Sequence, residues 1–188
     1  MSHSLILIRH GETEWNVEGR YQGQSDPPLN RRGREQALGL SEKLLAAGLD
    51  LLYSSPLKRA HQTGQILADR LSIPLHTDGR LQEIHLGKWE GLLHDEISRV
   101  FPKTFRQWEE DPWSITPPGG ESIYGVRSRI MEATEEILSR HRDQTIGLVS
   151  HLLPLVLLKI NFDGIHPSRI WEVSLPNAHW ENITLRGR

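Results

Sequence analysis

Residues 5–16 read LILIRHGETEWN, in which four consecutive aliphatic side chains stop at Arg9, His10 and Gly11. A strand with one wet face alternates apolar and polar residues, whereas an unbroken apolar run of this length marks a strand buried on both faces, as in a parallel sheet. Two side chains able to carry positive charge then stand at the mouth of that strand, and Gly11 lets the backbone turn tightly. This placement points to an anion site at the strand end.

Outward from this strand, the chain alternates between the two periodicities. Asn30 is placed to cap a helix over about 31–46, with Ala37, Leu40 and Leu44 on one face and Gly48 to end it. LDLLY at 49–53 is a second apolar strand. Ser54-Ser55-Pro56 reads as a helix N-cap followed by proline at the first helical position, and Ala60, Thr63, Leu67 and Leu71 carry the helical spacing. Residues 74–76 form a weak third strand, 121–140 a long helix with Ile123, Val126, Ile130, Ala133 and Ile137 on one face, and TIGLVS at 145–150 a buried strand. Two last strands, at about 170–175 and 179–185, are joined by Pro176-Asn177-Ala178 and are expected to pair antiparallel at an edge. The pattern predicts an α/β fold: a three-layer α/β/α sandwich around a mostly parallel sheet with an antiparallel edge strand. Residues 81–120 interrupt it as an irregular, partly helical flap whose Trp89, Phe101, Phe105, Trp108 and Trp113 supply a small packed cluster. No repeat, low-complexity tract or Gly/Ser linker divides residues 1–188, which read as one domain.

Composition removes several classes of function. There are no cysteines, which excludes disulfides, zinc knuckles and thiol catalysis. Twenty-two basic residues against 24 acidic ones leave a formal charge of −2, with no global attraction to nucleic acid or to an anionic membrane. Leu5 to Ile8 is too short for a signal-peptide core, and the apolar stretch 146–160 contains Ser150, His151 and Pro154 and falls short of the roughly 20 residues that span a bilayer. A cytoplasmic protein is expected, and the sequon at Asn182 is read as chance. Its ten histidines form no HExxH or other compact ligand motif, so neither a metal nor a cofactor is expected; no G-x-G-x-x-G follows a strand. The expected partner is a small molecule, and a homodimer is left open.

In open α/β sheets, ligands bind at the carboxyl ends of the strands. Arg9 and His10 follow the first strand, Arg59 sits in the first turn of the helix after the second, Glu83 follows the third, and His151 follows TIGLVS. All five can face one rim, and a helix N-terminus near Arg59 favours an anion further. Two arginines and two histidines suit a tetrahedral dianion such as phosphate.

These residues also carry a resemblance. RHGETEWN at 9–16, YSSPLKRAHQT at 53–63, LQEIHLGKWEG at 81–91, PPGGES at 117–122 and VSH at 149–151 occur in the order found in the histidine phosphatase superfamily, the phosphoglycerate mutase-like fold, and cover most of the chain. The resemblance implies that His10 attacks phosphorus and becomes a phosphohistidine. It implies that Glu83 protonates the leaving alkoxide and then serves as base for the hydrolytic water. Arg9, Asn16, Arg59 and His151 would hold the phosphoryl oxygens, with the backbone near Gln22-Gly23 closing the pocket. Elementary chemistry agrees: neutral imidazole is a competent nucleophile, guanidinium groups disfavour its charged form, and fixed cations meet charge on the equatorial oxygens without a metal.

Two departures bear on the substrate. Phosphoglycerate mutases of this superfamily are usually longer and carry Glu-Arg-His-Tyr at the acid, where this chain has Glu83-Ile84-His85-Leu86. Most members have Gly-Gly after the last catalytic histidine, where this chain has Leu152-Leu153-Pro154; the Leu152 N–H can face phosphate while its side chain narrows the space. Ser-His-x-x-Pro, with RYQGQSDPPL, FRQWEEDP, PGGES and PNA, is similar to metal-independent phosphoserine phosphatases, and EIHLGKWEG equally resembles broad-specificity and α-ribazole phosphatases. A phosphomonoesterase acting on a small phosphorylated metabolite is expected, with phosphoserine the leading substrate and His85 its carboxylate contact. α-Ribazole-5'-phosphate or broad-specificity hydrolysis, mutase activity and a non-catalytic phosphate-binding regulator are the alternatives.

Overall fold

The computed structural model describes residues 4–184. A five-stranded sheet has the order β3-β2-β4-β1-β5, where β1 is Ser4–Arg9, β2 Leu51–Ser54, β3 Leu75–Thr77, β4 Thr145–Ser150 and β5 Trp180–Thr184. β1, β2, β3 and β4 run parallel, and β5 pairs antiparallel with β1 at the edge. The apolar run that opens the chain behaves as its pattern requires. Leu5 and Leu7 join one hydrophobic cluster and Ile6 and Ile8 the other, so the strand is sealed on both faces.

Helices α2 (Arg31–Leu44) and α3 (Lys58–Leu71) cover the face that carries Ile6 and Ile8. α2 starts where expected, because the Asn30 side chain accepts the Gly33 N–H at 2.8 Å, and a 3₁₀ turn carries it to Gly48, whose φ of +65° ends it. The opposite face is covered by α6 (Ile123–Arg140) and α7 (Leu152–Asp163). α7 is the apolar stretch after β4; it is buried from Leu153 to Leu158, all round its circumference, which is why it lacks an amphipathic period. Residues 81–120 contribute α4 (His94–Val100) and α5 (Pro102–Glu110), held by edge-on contacts of Trp89 with Phe105 and Trp108 at 5.4 and 5.6 Å between centroids. The remaining helix, α1 (Glu14–Glu18), is one turn capped by Thr13. Among the described residues no helix is long and apolar enough to cross a membrane.

Two local expectations need correction. Ser54-Ser55-Pro56 does not start α3: Ser54 ends β2, Leu57 is extended, and the helix begins at Lys58. The Ser55 hydroxyl instead accepts the Leu57 N–H and meets His151. Residues 170–175 do not form a strand. Pro167–Glu172 is a 3₁₀ helix that inserts Ile170 into the core, and the Leu175 carbonyl accepts from the Arg9 guanidinium, not from a ladder. The edge strand therefore finds its partner in β1, whose far side is free to pair. Residue 185, the last of that expected strand, lies outside the described residues.

Candidate active site

Sheet register assembles the site. Arg9 pairs with Ser150 across β1 and β4, so the next residue of each strand, His10 and His151, leaves the sheet side by side. Their rings lie 5.2 Å apart, and both are buried. β1 and β2 flank β4 with a crossover on each side, which opens a crevice at these carboxyl ends.

The tautomer of His10 is fixed by its neighbour. Its Nδ1 lies 2.7 Å from the Gly11 carbonyl, which only accepts, so Nδ1 carries the proton and Nε2 keeps its lone pair. The pKa of His10 is pushed well below the ordinary value by burial, then by Arg59 and Arg9, and the ring is uncharged at neutral pH. The backbone here is tight: a Cβ on Gly11 would lie 2.5 Å from the Gly33 carbonyl oxygen. The Gly11 N–H donates to Thr63 of α3, and the Asn177 amide donates to the His10 carbonyl.

Arg59 is 1% exposed and donates to the carbonyls of Ser25 and Gly23, each at 2.8 Å. Desolvation lowers its pKa to about 10, opposed by Glu83, and it remains a cation. Arg9 is lowered by burial too, again opposed by Glu83. Asn16 accepts the Thr13 N–H on Oδ1, which leaves its amide donors for the cavity it lines. Burial and the two arginines hold His151 far below the ordinary range, and its Nε2 sits 2.8 Å from Ser55 Oγ. With the Ser55 hydroxyl donating to Nε2, the His151 proton sits on Nδ1.

Glu83 lines the same cavity. Its Oε1 accepts the Ile84 N–H at 2.9 Å, and burial raises its pKa against the opposing pull of that N–H and of Arg59 and Arg9. A raised carboxyl beside a depressed imidazole is the separation that an acid and a nucleophile need. The cavity measures about 590 Å³, with Gln22, Gly23 and Leu152 also on its wall. Trp108, Trp171, Val156 and Ile170 give it an aromatic and apolar share of wall, alongside the charged Arg20 and Glu109.

Nine of the ten residues singled out in the sequence are thus brought together; His85 is not. Glu83, Ile84 and Leu86 line the cavity, whereas the His85 imidazole is half-exposed and lies 3.8 Å from the Glu90 carboxylate. Proximity to Glu83 along the chain does not put the two side chains on one side of the loop. Sequence reasoning missed Ser55, Thr63, Gln24 and Glu90. Glu90 accepts from the Gln24, Ser25 and Leu86 N–H groups and so ties the 22–25 loop to the acid loop. It stands in the quoted EIHLGKWEG block, but only its distant partners reveal its task. Among the described residues no group of three or more His, Asp or Glu gathers as a metal site.

An uncharged imidazole beside two fixed cations, with a protonatable carboxyl in the same cavity, defines a phosphoryl-transfer site with a nitrogen nucleophile. The chain belongs to the histidine phosphatase superfamily (branch 1), whose profile matches residues 5–188. It is 39% identical over 184 residues to phosphoserine phosphatase 1 of Hydrogenobacter thermophilus, covering 98% of this chain and 87% of that one. It is 36% identical over 189 residues to glucosyl-3-phosphoglycerate phosphatase of Mycolicibacterium vanbaalenii, covering 95% and 83%. The solved structure of the α-ribazole phosphatase from Shigella flexneri superposes with a TM-score of 0.87 at 30% identity, covering 97% and 94%. This chain is accordingly a phosphatase with the phosphoglycerate mutase-like fold.

Proposed function

We propose that the chain hydrolyses a small phosphomonoester in two steps through His10. In the first step Nε2 attacks phosphorus, the ester P–O bond breaks, and the departing oxygen takes the proton of Glu83. In the second a water attacks the phosphohistidine, Glu83 takes a proton from that water, and the P–N bond breaks to release inorganic phosphate. Arg9, Arg59, Asn16 and His151 hold the phosphoryl oxygens, with Gln22-Gly23 and the Leu152 N–H at the margin.

One observation carries this reading. The uncharged His10 ring keeps its Nε2 lone pair free and packs 5.2 Å from His151, with Arg59 and Arg9 both lowering its pKa. A ring nitrogen with a free lone pair beside fixed guanidinium groups is the arrangement that attack on a phosphoryl group needs, because the cations meet the charge on its oxygens.

The relatives named above act, by name, on phosphates with unlike leaving groups. The residues that hold the phosphoryl group therefore speak to the reaction and the rest of the cavity lining to the substrate. Phosphoserine is the leading substrate, supported by the relative at 39% identity, and α-ribazole phosphate is the second, supported by the structural likeness to an α-ribazole phosphatase and by Trp108 and Trp171 on the cavity wall. A cytoplasmic location and a homodimeric assembly are carried with the proposal; cell fractionation and light scattering test them.

The experiment is phosphate release from a panel holding phosphoserine, 3-phosphoglycerate, α-ribazole phosphate, sugar phosphates and 4-nitrophenyl phosphate. Turnover of at least one member, inhibited by vanadate, is expected. Tight binding of phosphate with no turnover of any member would replace the enzyme by a phosphate-binding regulator.

A further inference from the structure

The segment that delivers the general acid starts as a 3₁₀ turn, Gly79–Leu81, whose backbone bonds go to the Asp78 and Gly79 carbonyls, yet the next four carbonyls, from Arg80 to Glu83, are all accounted for. The Leu81 carbonyl accepts from the Ser150 hydroxyl at 2.7 Å, one residue before His151. The Glu83 carbonyl accepts from the Gln24 amide at 3.1 Å. The other contacts come from one side chain, Arg129, in the second turn of α6. Its Nη1 donates to Arg80 O and Gln82 O at 2.7 and 2.6 Å, and its Nη2 to Glu83 O at 3.0 Å. Its remaining N–H groups hold the Glu121 carboxylate in a fork at 2.8 and 2.9 Å, and the Glu121 N–H in turn donates to the His85 carbonyl.

A guanidinium has five N–H donors in a rigid plane, and all five are used here. The side chain is only 18% exposed, so these contacts are shielded from water. A surface arginine serving charge alone would not aim its planar edge at three backbone carbonyls of one loop. These carbonyls precede or belong to the residue whose carboxyl must meet a departing oxygen, and a displacement of about 1 Å in such a group costs on the order of 100-fold in rate.

We infer that Arg129 is the positioning residue of the general acid: it fixes residues 80–83 so that Glu83 faces the scissile oxygen, without touching substrate itself. This rests on the phosphatase reading and on Glu83 as acid. The guanidinium charge also favours the ionised form of Glu83, opposing the rise caused by burial. Removing it moves the pKa of Glu83 further up, so the alkaline limb of kcat/KM for an alkyl ester should move to higher pH.

The test separates positioning from general support of the fold by leaving group. An alkyl ester needs the acid, whereas 4-nitrophenolate leaves unaided, so its burst reports attack by His10 alone. Arg129→Ala should lose about 100-fold in kcat/KM on an alkyl ester that the wild type turns over, while the rate of the nitrophenolate burst stays within about threefold. Added guanidinium ion should restore at least about tenfold of the alkyl activity, as expected when a deleted planar donor is replaced. Arg129→Lys keeps the charge and most of the stem but offers three donors; it should lose at least about tenfold on the alkyl ester with its burst intact. Equal losses on both esters, or wild-type alkyl activity in Arg129→Lys, would overturn the inference. If Arg129→Ala does not fold, Arg129→Lys decides alone. A wild type with no burst and no turnover would instead bring down the phosphatase reading, and this inference with it.

Discussion

Acidification should destabilise this protein through its active site, and the two buried histidines set the size of the effect. His10 and His151 pack 5.2 Å apart beside Arg9 and Arg59, and burial and those cations hold both pKa values well below the ordinary 6.5. In the unfolded chain both titrate near 6.5. Below that pH the unfolded state binds two protons that the folded state refuses, so the stability present above 6.5 is lost as pH falls. Each histidine contributes a slope of about 1.4 kcal/mol per pH unit until its folded pKa is reached, and the pair together about 3 kcal/mol per unit. Glu83 acts with the opposite sign. Its folded pKa is raised, so its contribution is favourable at low pH and is lost as pH rises through that pKa. A comparison with one histidine removed cancels Glu83. Urea unfolding of the wild type and His151→Asn, in phosphate-free buffer between pH 7.5 and 5, should give curves that diverge by about 1.4 kcal/mol for each unit below 6.5, the wild type falling faster. Parallel curves would refute the claim that His151 is buried uncharged beside two arginines.

The other predictions concern chemistry and packing. Glu83→Gln should slow phosphorylation by an alkyl ester about 100-fold or more and leave the nitrophenolate burst nearly unchanged, as rapid-quench measurements on both esters would register; equal damage in the burst would remove Glu83 from the acid role. Gly11→Ala places a methyl 2.5 Å from the Gly33 carbonyl oxygen, backbone against backbone, and should cost about 1–3 kcal/mol in thermal or urea unfolding. With cations already fixed in the pocket, activity should survive excess EDTA, and a loss restored by added divalent ion would contradict that.

Much of this architecture is legible because burial leaves a plain mark on sequence. β1 reads correctly since both of its faces are covered, and α2 since Asn30 and Gly48 bracket an apolar face. The site is legible where strand ends and quoted motifs coincide, at Arg9, His10, Arg59, Glu83 and His151. What fails does so for physical reasons. The apolar pattern at 170–175 comes from Ile170 and Leu175 plugging the core from irregular backbone, a spacing that a strand would also give. Ser55 resembles a cap by composition, but its hydroxyl is drawn to a histidine 96 residues away. Arg129 reads as an ordinary polar position on an amphipathic helix, because its partners in the acid loop lie 46–49 residues earlier. Contacts of that range leave no local signal.

The central claim is that His10 becomes covalently phosphorylated. Rapid acid-free quenching of the wild type during turnover of a ³²P-labelled ester, followed by peptide mapping, measures it directly. The account predicts an acid-labile, base-stable label on His10, absent from a folded His10→Ala protein whose turnover falls by about 10³-fold or more. A label on another residue, or near-wild-type turnover in His10→Ala, would contradict it.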